Sequence, residues 1–153
     1  MKILISPAKK MRGDADSLPP LGQPAFLADA KRLLEELRAM PGDRLRALWN
    51  CSEALAALNR DRLRTADPDR AQTPAILAYE GIQYQYMAPQ VMETGQLDYI
   101  QAHLRILSGL YGVLRPFDGV IPYRLEMQAP LAMDGQKDLY GFWGGRLAAH
   151  LAG

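Results

Sequence analysis

From Ala25 to Met40 the apolar residues Phe26, Leu27, Ala30, Leu33, Leu34 and Leu37 recur at helical spacing, and Pro41-Gly42 ends the run. A helix with so complete an apolar stripe must bury it against another layer. The chain offers two short β-type runs on either side. Ile3-Leu4-Ile5 is stopped by Ser6-Pro7, and Ala75 to Tyr79 is entered through Pro74; both read as buried strands. Helical patterns set between such strands predict a domain of mixed α/β class.

The remaining segments fit that class. Asp43 is placed to cap a short helix reaching Trp49, Asn50-Cys51-Ser52 interrupts it, and a third helix runs from Glu53 to about Thr65 with Leu55, Leu58 and Leu63 inward. Ile82 to Tyr86 alternates as an exposed strand does, Gly95 to Leu107 reads as one amphipathic helix, Val120 to Met127 as extended chain, and Leu139 to Leu151 as a helix. Met11 to Pro24 is a loop rich in Gly, Asp, Ser and Pro.

Composition narrows the function classes. At 153 residues the chain is the size of one domain. With 18 Lys+Arg against 17 Asp+Glu the net charge is only +1, so any electrostatic site must be local. One cysteine excludes an internal disulfide. Two histidines and one cysteine, far apart, lack the usual zinc ligand set, and no cofactor motif stands out. No apolar run reaches the roughly 18 residues of a membrane helix, and the start of the chain lacks the signal-peptide pattern. The expectation is a cytoplasmic protein with no membrane partner.

Four stretches could carry chemistry. In the first, two short helices flank Asn50-Cys51-Ser52, the spacing of a helix-hairpin-helix. That motif presents backbone N–H groups to a phosphate at the start of its second helix. Asn50 and Ser52 stand where glycines usually do, and Asn tolerates positive φ. Ala56 falls where the helices must approach closely. Between Arg38 and Arg64 six arginines face three acids, a local net charge of +3. Arg46, Arg60 and Arg64 are the expected phosphate contacts on double-stranded DNA. A plain helical hairpin with a solvated arginine face fits the same residues.

The second stretch, Ser108 to Asp118, holds Gly109 and Gly112, which permit a tight backbone near a ligand, with Tyr111 to stack on a base and Arg115 to meet an anion. In the third, Arg124 and Glu126 share one face of extended chain, placed to form an ion pair lining a cleft. The fourth is Lys9-Lys10, following the first strand, where α/β sheets often bind ligands. Each also has a plain structural reading: a helix end, a surface ion pair, a solvated lysine pair. Cys51 reads as a small buried apolar residue more than a redox thiol. No catalytic residue set is evident, which leans against an enzyme.

Five segments taken in order are more specific than any one of them. They are Ile5 to Met11, Tyr79 to Met87, His103 to Asp118, Pro122 to Met127 and Leu139 to Gly144. Together they resemble the YaaA family of bacterial peroxide-stress proteins, over essentially the whole chain. The resemblance implies a cytoplasmic protein that limits iron-dependent damage from hydrogen peroxide. It also implies DNA binding through a helix-hairpin-helix element and a cationic cleft, here Lys9, Lys10, Arg105, Tyr111, Arg115 and Arg124. Many members carry Lys-Gly-Asp where this chain has Glu80-Gly81-Ile82. Members also continue past residue 153, so residues 1–153 are expected to be the N-terminal part of a longer fold, with sheet edges open to self-association. The alternatives are an enzyme or small-anion-binding protein using the Lys9, Arg124 and Glu126 cleft, and an inactive truncated paralogue.

Overall fold

The computed structural model describes residues 1–13 and 18–152. Part of the predicted Met11–Pro24 loop, residues 14–17, lies outside the described residues. In chain order the strands are β1 (Ile3–Ile5), β2 (Lys10–Met11), β3 (Thr73–Pro74), β4 (Tyr79–Glu80), β5 (Leu104–Ser108), β6 (Gly112–Leu114) and β7 (Gly119–Val120). The helices are α1 (Leu27–Arg38), α2 (Gly42–Trp49), α3 (Glu53–Thr65), α4 (Ala75–Ala78), α5 (Ile82–Met87), α6 (Thr94–His103), α7 (Leu139–Trp143) and α8 (Arg146–Ala152). The class is mixed α/β, as the sequence predicts.

The main sheet has the order β1-β5-β6. β1 lies parallel to β5, with Ile5 opposite Ile106, and β6 runs antiparallel to β5. Two antiparallel pairs, β2-β4 and β3-β7, flank it. The helix α1 buries Ala30, Leu33, Leu34 and Leu37, the stripe its sequence announces. These side chains join Trp49, Ile76, Ile106, Leu114 and Trp143 in one core. Burying side chains of this size stabilises the fold by about 1.5–3 kcal/mol each before chain entropy is counted.

Several local predictions change in the fold. β1 is a strand but not a buried one: Ile3 is 41% and Leu4 49% exposed, because β1 is the edge of its sheet. Ala75 to Ala78 is buried as expected, yet it forms one helical turn, α4, and only Tyr79–Glu80 is extended. Its first amides are satisfied from outside the turn, Ala75 N–H donating to the Asp118 carbonyl and Ile76 N–H to that of Pro116. A buried apolar run of this length satisfies its amides in either conformation.

Ile82 to Tyr86 is helix α5, not a strand. Its alternating apolar residues do not share a face: Tyr84 is buried while Ile82 and Tyr86 are 71% and 85% exposed. The predicted Gly95–Leu107 helix ends at His103, and Leu104–Ser108 becomes β5, the central strand. Pairing with strands on both sides outweighs the helical spacing there. Pro41 rather than Asp43 precedes α2. The inner face of α3 is Ala56, Asn59 and Leu63, while Leu58 points outward. The predicted C-terminal helix breaks into α7 and α8 at Gly144, where φ is +51°.

Gly109 governs one crossing. A Cβ there would sit 2.2 Å from the Leu125 carbonyl oxygen and 2.9 Å from the Glu126 carbonyl carbon. The segment after β7 can therefore cross the end of β5 only over a glycine. We expect Gly109→Ala to cost about 1–3 kcal/mol, as overpacking does. Gly95→Ala, in α6 with nothing within 4 Å of the new methyl, should stabilise by up to about 1 kcal/mol. Urea unfolding of the two variants checks the pair; equal effects would remove the crossing from the account.

Candidate functional site

Two concave regions gather the candidate residues. The first is the α2–α3 hairpin. α2 ends at Asn50, whose φ of 49° and ψ of 58° are left-handed. Asn accepts this conformation more readily than most residues, so Asn50 performs the reversal that a glycine would. Ser52 is the N-cap of α3, its Oγ accepting from Leu55 N–H at 3.2 Å. Ser52 sits at φ −67°, so no glycine is needed there. Ala56 on α3 is wholly buried.

Around this hairpin lies an open concavity of about 660 Å3, lined by Arg46, Asn50, Cys51, Glu53 and Arg60. Glu53 engages both arginines, at 2.9 Å from Arg46 Nη1 and 3.7 Å from Arg60 Nη2. Arg46 Nε also points to the Cys51 carbonyl at 3.4 Å. Such exposed pairs contribute little, about 0–1 kcal/mol, so a competing anion can displace the carboxylate. Arg64 is not part of this concavity. It lies eleven residues beyond Glu53, about 16 Å along α3, and pairs with Asp61.

The second region is a cavity of about 390 Å3 at the carboxyl ends of the parallel strands β1 and β5. Lys9 and Ser6 enter it from the loop after β1, Ser108 from the end of β5, and Tyr123, Arg124 and Glu126 from the crossing segment. The expected Arg124–Glu126 pair does not form. Arg124 turns away to donate to the Trp49 carbonyl, at 3.4 Å from Nε and 3.3 Å from Nη2. Glu126 faces Lys9 instead, with Nζ 3.4 Å from Oε1. That oxygen is buried and accepts no hydrogen bond among the described residues, while Oε2 accepts from Gln128 at 3.2 Å.

The predicted cationic cleft is split by the sheet. Arg105 and Arg115 do not join Lys9 and Arg124. Continuing the β5–β6 register one step past Ile106 and Leu114 sets Arg105 opposite Arg115, at the other end of β5. Arg115 binds buried Asp118 through Nη2 at 2.9 Å, and burial raises the Asp118 pKa while that arginine opposes the rise. Burial, aided by Arg115, lowers the Arg105 pKa. Lys10 lies on β2 opposite Glu80, away from the cavity.

Tyr111 cannot stack on a base. It is wholly buried, and its hydroxyl accepts from Ile121 N–H at 3.1 Å. Gly109 and Gly112 do allow tight backbone, with φ at Gly112 of +77°, but the close neighbours are the chain's own Leu125 and Trp143 rather than a ligand. Cys51 is a free, partly buried thiol. His103 stacks on Tyr99 and approaches the Met1 carbonyl at 2.9 Å. Among the described residues no group of three or more His, Cys, Asp or Glu could hold a metal, and no helix is long and apolar enough to cross a membrane.

A hydroxyl chain that sequence reasoning missed lies under the cavity. Tyr79 Oη is 2.5 Å from Tyr123 Oη, which is 2.6 Å from Ser108 Oγ. Ser108 Oγ also accepts from Tyr111 N–H, and Tyr84 Oη donates to the Ser6 carbonyl. These partners are far apart in sequence, so no local pattern announces them. Burial raises the Tyr79, Tyr84, Tyr111 and Tyr123 pKa values, Tyr123 to about 12.

Because these four pKa values are raised in the fold, the unfolded chain ionises first. Their contribution to stability is intact below about pH 10 and falls above it, by up to about 1.4 kcal/mol per tyrosine per pH unit. Urea unfolding between about pH 8 and 11 should show that loss. Near-ultraviolet absorbance should show four of the seven tyrosines ionising late or only on unfolding. A single early transition of all seven would contradict the buried network.

Comparison with known proteins agrees with the sequence resemblance. The family described as "Peroxide stress protein YaaA" matches residues 1–153. A UPF0246 protein of Lactiplantibacillus plantarum is 56% identical over 147 residues, 96% of this chain and 59% of that protein. The UPF0246 protein DSY0297 of Desulfitobacterium hafniense is 55% identical over 143 residues, 94% of this chain and 57% of its own length. A UPF0246 protein of Pediococcus pentosaceus is 53% identical over 151 residues, 99% of this chain and 60% of its own. The chain thus spans less than two thirds of the length of these relatives. With a matching family pattern along all 153 residues and identities above one half, this chain belongs to the YaaA peroxide-stress family.

Proposed function

We propose that the protein acts in the cytoplasm during hydrogen peroxide stress by binding double-stranded DNA through backbone phosphates, limiting iron-dependent damage. One observation carries this reading: left-handed Asn50 joins two closely packed helices beside a concavity flanked by Arg46 and Arg60. Ser52 caps α3 by accepting from the Leu55 amide, and the first-turn amides of Glu53 and Ala54 donate to no such cap among the described residues, at the positive end of the helix dipole. A phosphate oxygen set there would receive backbone donors first and arginine charge second. Such contacts position a duplex without reading its bases. Arg64 then serves as an outlying contact further along the strand, and Lys9 and Arg124 as a second cationic point.

Glu53 is the internal competitor. Its carboxylate holds the two arginines that a phosphate needs. Glu53→Gln should therefore raise duplex affinity, while Arg46→Ala with Arg60→Ala should lower it for all sequences alike. The double variant should also flatten the slope of log affinity against log salt by about two. Fluorescence anisotropy with labelled duplexes at several salt concentrations measures all three. An affinity that does not fall as salt rises would sink the phosphate reading.

A further inference from the structure

The cavity at the carboxyl ends of β1 and β5 presents three chemistries at once. Glu126 Oε1 is a buried acceptor with no donor among the described residues. A buried acceptor without a hydrogen bond is costly, so this oxygen is poised to accept from an N–H of a bound molecule. Lys9 sits 3.4 Å from that oxygen, an ion-pair distance without a hydrogen bond, and its ammonium is mostly exposed. Arg124 also lines the cavity, with Nε and Nη2 held by the Trp49 carbonyl, so its positive charge is anchored beside the site. Apolar wall is supplied by Pro7, Leu107, Leu125 and Met127 beside the polar Ser6, Ser108 and Tyr123, and Tyr140 is 61% exposed.

A ligand matching all three needs an N–H edge for Glu126, an anionic oxygen for Lys9 and Arg124, and a flat apolar body for the walls. A simple inorganic anion satisfies only the second and would meet the Glu126 charge. A carboxylate accepting from a base edge is a common pairing, and a cavity of about 390 Å3 is within the range of small-molecule sites. We propose that this cavity binds one nucleotide unit, with its base edge donating to Glu126 Oε1, its phosphate against Lys9 and Arg124, and its base between the apolar wall and Tyr140. The unit could be supplied as a free mononucleotide or as an unpaired nucleotide of a strand; the recognition is the same.

The site does not depend on the hairpin. Arg124 joins the two only through the backbone of Trp49, the residue before Asn50. Titration calorimetry with guanosine monophosphate, ribose 5-phosphate and inorganic phosphate tests it. Guanosine monophosphate, with adjacent N–H donors, should bind at least about tenfold more tightly than ribose 5-phosphate. Glu126→Gln, close in shape, should erase that margin, and because it releases Lys9 from its carboxylate it should hold or tighten ribose 5-phosphate. Lys9→Ala should weaken both, and Tyr140→Ala only the nucleotide. Arg46→Ala with Arg60→Ala should leave nucleotide affinity intact, which separates this result from any failure of duplex binding. A duplex with one unpaired guanosine that displaces the mononucleotide identifies a strand as the source; failure to displace it identifies the free nucleotide. A Glu126→Gln variant that keeps the full margin, or a nucleotide no tighter than phosphate, would overturn the proposal.

Discussion

The close crossing of the Leu125 backbone over Gly109 is the constraint on which the site depends. Only a residue without a Cβ lets the chain after β7 pass across the end of β5 at that distance. The same glycine's carbonyl accepts from the Trp143 indole at 3.0 Å, so the crossing is held from the opposite side by α7. Once the segment is laid there, Tyr123 reaches Ser108 and Tyr79, Arg124 reaches the end of α2, and Glu126 reaches Lys9. One backbone approach thus organises residues from five separate parts of the chain.

The hydroxyl chain gives this crossing its rigidity. Tyr79, Tyr123 and Ser108 are linked within buried surroundings, where polar groups must find partners to be tolerated. Tyr123 N–H also points to Met11 Sδ at 3.4 Å. The floor of the cavity is therefore polar but internally satisfied, whereas Glu126 Oε1 is buried beside Lys9 with no hydrogen bond among the described residues. The hairpin is the contrasting case. Glu53 pairs with Arg46 and Arg60, but on the surface, where exchange with another anion is cheap.

Much of this was legible from the residues. The stripe on α1 and the break at Asn50-Cys51-Ser52 each follow from local rules, and each appears in the fold. The cavity lies where the Lys9 position after β1 suggests. Other features were not legible. Arg105 and Arg115 looked like cleft residues, yet the antiparallel return of β6 places them at the far end of the sheet beside Asp118. Tyr111 looked like a stacking platform, yet the β5–β6 turn folds it into the core. Leu104 to Ser108 carries helical spacing and strand alternation together, and only its two neighbouring strands decide between them.

The sequence by itself determined the mixed class, the helical hairpin with its left-handed Asn50, and the local excess of arginine. These depend on backbone preference and periodicity over a few neighbouring residues. Tertiary structure decided which charges meet. Arg124 chose the Trp49 carbonyl over Glu126, and Glu126 was left facing Lys9, with Oε1 accepting no hydrogen bond among the described residues. Ion pairs and hydrogen bonds reach only a few ångströms, so partners remote in sequence are assigned only when packing has placed the backbones that carry them.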